Sequence, residues 1–261
     1  MTPGRLGTAE NIPPYPANYY AGGPRPFSVS EHEKGRRVLS WEEAQSFDHL
    51  AERYDRLGEL STDPVGDWLP SILPATGRRA LDLGCGAGRH SVLLAEVFEH
   101  VDAVDLSGAM VRLAQRKRAR PNIEYREAGV FDVAGSYDFV LSSATLHHVP
   151  DLPAALRHIR GLVAPDGRIA LADTVSKHPS TPRWWLYGGE VRKFARNLVN
   201  RGPAEAWEIF RLSTGPWLDH RVSDRYLDRD GFERVYGAAY PGATFVQVGR
   251  AHAALWQRGT D

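Results

Sequence analysis

The sequence predicts an α/β fold: a doubly wound sheet of seven strands, with an antiparallel hairpin at one edge and a helical insertion after the fifth strand. Three observations predict it. An apolar run, Arg78 to Leu83, turns through alternating glycines into an amphipathic stretch, Arg89 to Phe98. Short apolar runs then alternate with helical patterns as far as Ala172, the pattern of a parallel sheet with crossover helices. Two last β-compatible runs, Thr244 to Val248 and Ala251 to Arg258, have no helix between them and so form a hairpin.

Residues 1–38 form a Pro/Gly-rich arm with Tyr15, Tyr19 and Tyr20, read either as a tail or as an arm that folds over the ligand site. The domain proper is expected over 39–261. From Ser40 to about Leu60 the pattern is helical: Ser40 and Glu43 fit a capping box, and Phe47, Leu50, Ala51 and Tyr54 share a face. A second helix, Asp67 to Leu73, leads through Pro74-Ala75-Thr76-Gly77 into the first strand. That strand ends in Asp82-Leu83-Gly84-Cys85-Gly86-Ala87-Gly88. Glycines at such a turn bring backbone N–H groups close to a ligand with no Cβ in the way. The spacing is not the G-x-G-x-x-G of dinucleotide sites, which argues against a nicotinamide-dependent reductase. Strand two, Val101 to Leu106, carries Asp105 at its tip. An acid there, about 20 residues beyond the first glycine, is placed to accept both ribose hydroxyls. Ser107 caps a helix over Gly108–Arg118, whose basic end Arg116-Lys117-Arg118 suits the helix dipole.

Strand three, Asn122 to Glu127, leads to Gly129, Val130, Phe131 and Asp132. Strand four, Tyr137 to Ser143, leads to Ala144-Thr145-Leu146-His147-His148-Val149-Pro150-Asp151, and Asp151 caps the next helix, Leu152 to Val163. Pro165-Asp166-Gly167 turns into strand five, Arg168 to Ala172. The insertion, 173–222, holds helices over Glu190–Asn200 and Pro203–Leu212. Its Arg183, Arg192, Lys193, Arg196 and Arg201 read as a solvated face in preference to an acidic-substrate site, and its Trp184, Trp185 and Trp217 as packing in preference to a stacking platform. A last helix is expected over Ser223–Tyr236.

Formal charge is balanced, with 32 Lys plus Arg against 32 Asp plus Glu, which weighs against a nucleic-acid partner. Cys85 is the only cysteine, so no disulfide forms within the chain, and it reads as a small spacer in the turn. Met1 to Arg5 lead into no apolar run, and no stretch has the length of a membrane span. The expectation is a cytoplasmic protein without membrane contact; a homodimer is compatible with it.

Motif Asp82-x-Gly84-x-Gly86-x-Gly88, the segment Phe47-Asp48-x-x-Ala51-x-x-Tyr54-Asp55 and the run Tyr137-Asp138-x-Val140-x-x-x-x-x-Leu146-His147-His148-Val149 together resemble the class I S-adenosylmethionine (SAM)-dependent methyltransferases of small-molecule type, with their Rossmann-like sheet. The resemblance covers residues 41–175 well and 223–258 loosely. It implies SAM as cofactor and S-adenosylhomocysteine (SAH) as product, held by Tyr54, Asp82, Gly84, Gly86, Asp105, Leu106, Gly129, Val130 and Ser143. Gly129 stands where the family often has an acid for the adenine amine, so backbone groups of Gly129 and Val130, or Asp132 reaching back, take that contact. The insertion takes the place of a substrate lid. His147 and, near Trp217, His220 are the candidate bases; no metal constellation is evident. The resemblance implies methyl transfer to O, N or C of a small molecule or modified peptide, in a biosynthetic pathway. Two alternatives stand beside it: a methyltransferase acting on tRNA or protein, and a SAM-binding protein of this fold without methyl transfer, such as a cyclase. An N/D-P-P-Y/F quartet for base methylation is absent from the end of strand four.

Overall fold

The computed structural model describes residues 47–177, 181–224 and 226–259. The N-terminal arm and the Ser40–Glu43 capping box lie outside them. A seven-stranded sheet runs in the order β3-β2-β1-β4-β5-β7-β6. Its strands are β1 (Gly77–Leu83), β2 (Phe98–Asp105), β3 (Ile123–Glu127), β4 (Tyr137–Ser143), β5 (Val163–Thr174), β6 (Thr244–Val248) and β7 (Ala251–Gln257). The first five pair in parallel. The closing hairpin forms as expected, with β7 antiparallel to both β5 and β6.

Parallel strands are covered on both faces, and their side chains divide accordingly. Leu81, Val104, Val140, Ile169 and Leu171 enter one core. There they meet Leu156 and Ile159 of helix α5 (Leu152–Leu162) and Phe232 and Tyr236 of helix α9 (Arg229–Ala239). Their sequence neighbours Ala80, Val101, Phe139, Leu141 and Ala170 enter the other, with Leu94 and Leu69. The remaining helices are α1 (Ala51–Glu59), α2 (Pro64–Trp68), α3 (Arg89–Leu94), α4 (Gly108–Arg118), α6 (Arg183–Arg201), α7 (Pro203–Ser213) and α8 (Pro216–Ser223).

Several boundaries differ from expectation for local reasons. Asp63 caps α2 by accepting the Gly66 N–H at 3.0 Å, so that helix starts early and ends in a 3₁₀ turn at Ser71. Asp228, whose carboxylate accepts the Gly231 N–H at 2.7 Å, starts α9 later than Ser223. Gly231 lies in the first turn of that helix. Strand β5 begins at Val163 and absorbs the Pro165-Asp166-Gly167 turn, with Asp166 at φ 63°. The insertion contains a third helix, α8, that the sequence pattern did not separate. Trp184 and Trp185 do not pack as expected: at the start of α6 they are 72% and 56% exposed and touch each other.

Helix α1 ties the insertion to the sheet domain. Leu57 packs with Ile209 and Leu212 of α7, and Arg56 pairs with Glu208 at 2.8 Å. On its other side, buried Asp55 meets Lys117 at 2.5 Å and Arg118 at 2.8 Å, while Arg116 reaches Glu52 at 2.6 Å. The basic end of α4 is thus engaged with α1. Within the insertion, Arg183 pairs with Asp219, Arg201 with Glu205 and Lys193 with Glu190. No helix among the described residues is long and apolar enough to cross a membrane.

Candidate active site

The turn after β1 is built by three glycines in the left-handed region: Gly84 at φ 74°, Gly86 at 53° and Gly88 at 82°. Two are required by neighbours. A methyl at Gly84 would run into Thr145, and one at Gly88 into the Tyr125 ring. At Gly86 an added Cβ would meet nothing within 4 Å among the described residues. The space above Gly86 is therefore open, at the C-terminal edge of the parallel strands where doubly wound sheets bind ligands.

Asp105 braces the turn from the tip of β2. One carboxylate oxygen accepts the Gly86 N–H at 2.8 Å and the other the Ser107 N–H at 2.8 Å. Each oxygen keeps a second lone pair, enough to receive a ribose hydroxyl. Burial raises the Asp105 pKa against the lowering effect of those two amides. Asp82 lies beneath the turn, 1% exposed, where it accepts the Ser91 hydroxyl at 2.6 Å. Its geometry is that of a brace under the turn. Cys85 is buried, and burial pushes its thiol pKa well up, so it is the inert spacer expected.

Beyond Asp105, Leu106 is 77% exposed, and its Cδ1 lies 3.8 Å from where a Gly129 Cβ would be. Leu106 and Gly129 thus border one slot, with Phe131 53% exposed close by in sequence. Val130 packs against the core. Asp132 accepts the Gly129 N–H at 3.0 Å. Ser143 ends β4, its carbonyl accepting the Thr145 hydroxyl at 3.0 Å. The same hydroxyl stands 3.3 Å from the Gly84 carbonyl, so the loop after β4 is fastened to the glycine turn. Ala144, at φ 54°, is the strained residue of that loop.

That loop delivers the two histidines. Asp173, 4% exposed near the end of β5, receives the His147 backbone N–H at 2.9 Å and lies 2.6 Å from its Nδ1. With Nδ1 held by the carboxylate, Nε2 is the nitrogen free for proton transfer. Burial pulls the His147 pKa down, but the charge and hydrogen bond of Asp173 prevail and raise it. Burial and the neighbouring His147 and His220 push His148 well below the ordinary value. His147 and His148 lie with ring centroids 3.8 Å apart. His220 of α8, 3% exposed, is stacked on Trp217 at 5.2 Å and lies 4.5 Å from Phe47 and 5.3 Å from His148. Tyr54 completes this wall, 5.4 Å from Phe47 and 5.2 Å from Trp217. The structure brings Tyr54, His147 and His220 together through Phe47 and His148, and sets beside them three residues that sequence reasoning missed: Asp173, Tyr226, whose ring lies 4.9 Å from that of His147, and Asp224, which accepts the Tyr226 hydroxyl at 2.5 Å. Only the position of Asp173 near the C-terminal end of a parallel strand hinted at a role.

A separate cleft of about 510 Å³ lies at the opposite sheet edge, lined by Arg78, Glu99, Asp138, Asp166 and Arg168. It sits at the N-terminal strand ends, away from the turn, and plays no part here.

A glycine turn braced by a strand-tip acid, with an open cradle at Gly86, suits a ribose-bearing ligand lying along the main chain. The comparisons narrow this class. The methyltransferase-domain family profile matches residues 81–171. A ubiquinone biosynthesis O-methyltransferase of Albidiferax ferrireducens is 30% identical over 184 residues, 66% of this chain and 71% of that protein. A protein of the same name from Xanthomonas oryzae pv. oryzae is 32% identical over 142 residues; the match spans 52% of this chain and 58% of the relative. In fold, the chain resembles the protein in a DhpI–SAH complex, with TM-score 0.60 at 18% identity, over 85% of this chain and all of that one. The chain belongs to the class I SAM-dependent methyltransferases, and its cofactor is SAM.

Proposed function

We propose that this methyltransferase acts on a hydroxyl oxygen of a small biosynthetic intermediate, with His147 as the base and residues 173–222 as the lid over the acceptor. The buried Asp173–His147 pair carries the reading. SAM, when bound, supplies the methyl group already activated on sulfur, so the protein contributes alignment, a dry site and, for a hydroxyl, a place for its proton. Amine or carbanion acceptors that arrive deprotonated need no such base. Asp173 fixes the His147 ring and favours its charged form, which helps His147 take the proton as the oxygen gains the methyl. His148, kept neutral, adds no opposing charge. Phe47, Tyr54, Trp217 and His220 form an aromatic wall suited to a flat apolar acceptor. O-methyltransferases among the relatives support the choice of oxygen.

In the cofactor part of the same reading, Asp105 takes the ribose, the Gly84–Gly86 backbone lies along the ligand, and Leu106, Gly129 and Val130 border the adenine. Tyr54 and Ser143 face the methionine end, and Asp82 acts from below through Ser91. The testing experiment incubates the enzyme with SAM and a panel of phenols, alcohols and amines, and follows product mass. A gain of one methyl group on hydroxyl compounds, lost in His147→Ala, supports the proposal. Transfer to amines alone, or full activity in His147→Ala, refutes it.

A further inference from the structure

One ring nitrogen each from His147 and His148 and one carboxylate oxygen of Asp224 lie within 4.8 Å of one another. We infer that these three side chains form a zinc-type divalent-cation site between the loop after β4 and the end of the helical insertion. Ligands of a tetrahedral ion with bonds of about 2.1 Å sit about 3.4 Å apart, so closing the cluster asks for little more than side-chain rotation. Two imidazoles and one carboxylate are the donor set that favours zinc over calcium or magnesium, and three protein ligands leave one position open.

The surroundings of the cluster carry the inference further than its spacing. Histidines that ligate metals almost always give their other nitrogen to a carboxylate or carbonyl, and ligating carboxylates are hydrogen-bonded in turn. His147 has this arrangement, with Nδ1 2.6 Å from Asp173. Asp224 has it as well: the Tyr226 hydroxyl donates to Oδ2 at 2.5 Å, and His220 Nε2 lies 3.5 Å from Oδ1. Asp224 is buried, 5% exposed, and His147 and His148 are partly buried at the mouth of the cluster. A second group, of one histidine and two carboxylates, lies on the sheet. His100, Asp102 and Glu124 also come together on β2 and β3, but there Arg79 already pairs with Asp102 at 2.7 Å and Arg126 stands 4.0 Å away. A cation would have to displace those guanidinium groups.

The site rests on the same loop as the proposed base but not on methyl transfer. An ion ligated by His147 and a proton accepted by His147 exclude each other, so the ion would clip the insertion to the sheet domain and silence the base. The test uses the whole protein, stripped of metal by chelator and dialysis. It is titrated with Co²⁺ by visible absorption and with Zn²⁺ by calorimetry, with SAH binding as the check on folding. One equivalent of Co²⁺ with a tetrahedral spectrum, competed away by Zn²⁺, is expected. His148→Ala and Asp224→Asn should weaken Zn²⁺ at least tenfold with SAH affinity retained, and Asp173→Asn by about 10- to 100-fold through His147. No saturable binding, or binding that survives both ligand variants but is lost in His100→Ala, overturns the inference. Stoichiometric zinc with undiminished methyl transfer would leave the metal site standing and refute His147 as base.

Discussion

Asp105→Ala removes a carboxylate whose two oxygens each hold a backbone amide at 2.8 Å, one from Gly86 and one from Ser107. A hydrogen bond to a charged group contributes about 1.5–3 kcal/mol, so losing both sets an upper bound of about 3–6 kcal/mol. Part of this is offset. Burial disfavours the ionised carboxylate and raises its pKa, and water reaches the vacated amides at the strand edge. The net loss of folding stability should be about 2 kcal/mol, read from urea denaturation of the apo protein. SAH binding should weaken by a further 1–3 kcal/mol, about 5- to 150-fold in Kd, from the ribose hydroxyls left without their acceptor. Gly86→Ala separates the two effects. Its Cβ meets no protein atom, so stability falls only by the cost of φ 53°, about 1–2 kcal/mol. Yet that methyl occupies the space assigned to the ligand, and SAH affinity should fall at least tenfold. Calorimetric titration of both variants with SAH decides. Wild-type affinity in either one would refute the placement of the ligand over this turn.

Four further outcomes are expected. Asp173→Asn should lower the His147 pKa toward or below the ordinary histidine value of about 6.5, followed by NMR titration of the ring protons, because burial then acts without the compensating charge. With the raised wild-type value, kcat/KM should rise with pH along a limb centred above about 6.5, and that limb should move to lower pH in Asp173→Asn while its plateau falls. The sign for stability is opposite. A histidine raised by folding stabilises fully below its unfolded pKa of about 6.5 and loses that contribution as pH rises through the folded value, a slope in urea midpoint that Asp173→Asn should flatten. Asp55→Asn should destabilise by about 2 kcal/mol in the same urea assay. It leaves Arg118 and the half-exposed Lys117 without their buried partner between α1 and α4.

Much of the sheet was legible because parallel strands buried on both faces are short apolar runs, and each of β1 to β5 left one in the chain. The glycine turn was legible for a different reason: φ values of 53–82° are open to glycine and few others, so geometry forced the residue type. Asp105 followed from its strand-tip position. What stayed hidden depends on contacts between distant segments. Nothing local marks Asp173 as the partner of His147, 26 residues away, because their meeting needs β4 and β5 side by side. Asp224 and Tyr226 lie at the end of an insertion whose third helix carries no strong pattern. Trp184 and Trp185 were misplaced because apolarity predicts burial only on average. The basic run of α4 resolved into ion pairs with α1, a pairing that net charge alone does not disclose.

The glycine turn and the loop after β4 are one mechanical unit, and Gly84 is where they meet. An alanine there carries the left-handed strain of φ 74°, about 1–2 kcal/mol, and places its methyl within the volume of Thr145. Overpacking of a tight contact costs another 1–3 kcal/mol, so Gly84→Ala should lose about 2–5 kcal/mol in urea denaturation. Thr145→Gly removes the colliding side chain together with its 3.0 and 3.3 Å hydroxyl contacts to Ser143 and Gly84. In that background Gly84→Ala should cost only its backbone strain. The double-mutant cycle should therefore show a favourable coupling of about 1–3 kcal/mol. Because Thr145 is two residues before His147, the same steric push should reach that histidine, and the His147 ring signals should shift in Gly84→Ala but return in the double variant. Strict additivity of the two substitutions would mean that the loop after β4 yields freely, and that the turn holding the cofactor does not set the position of the histidine.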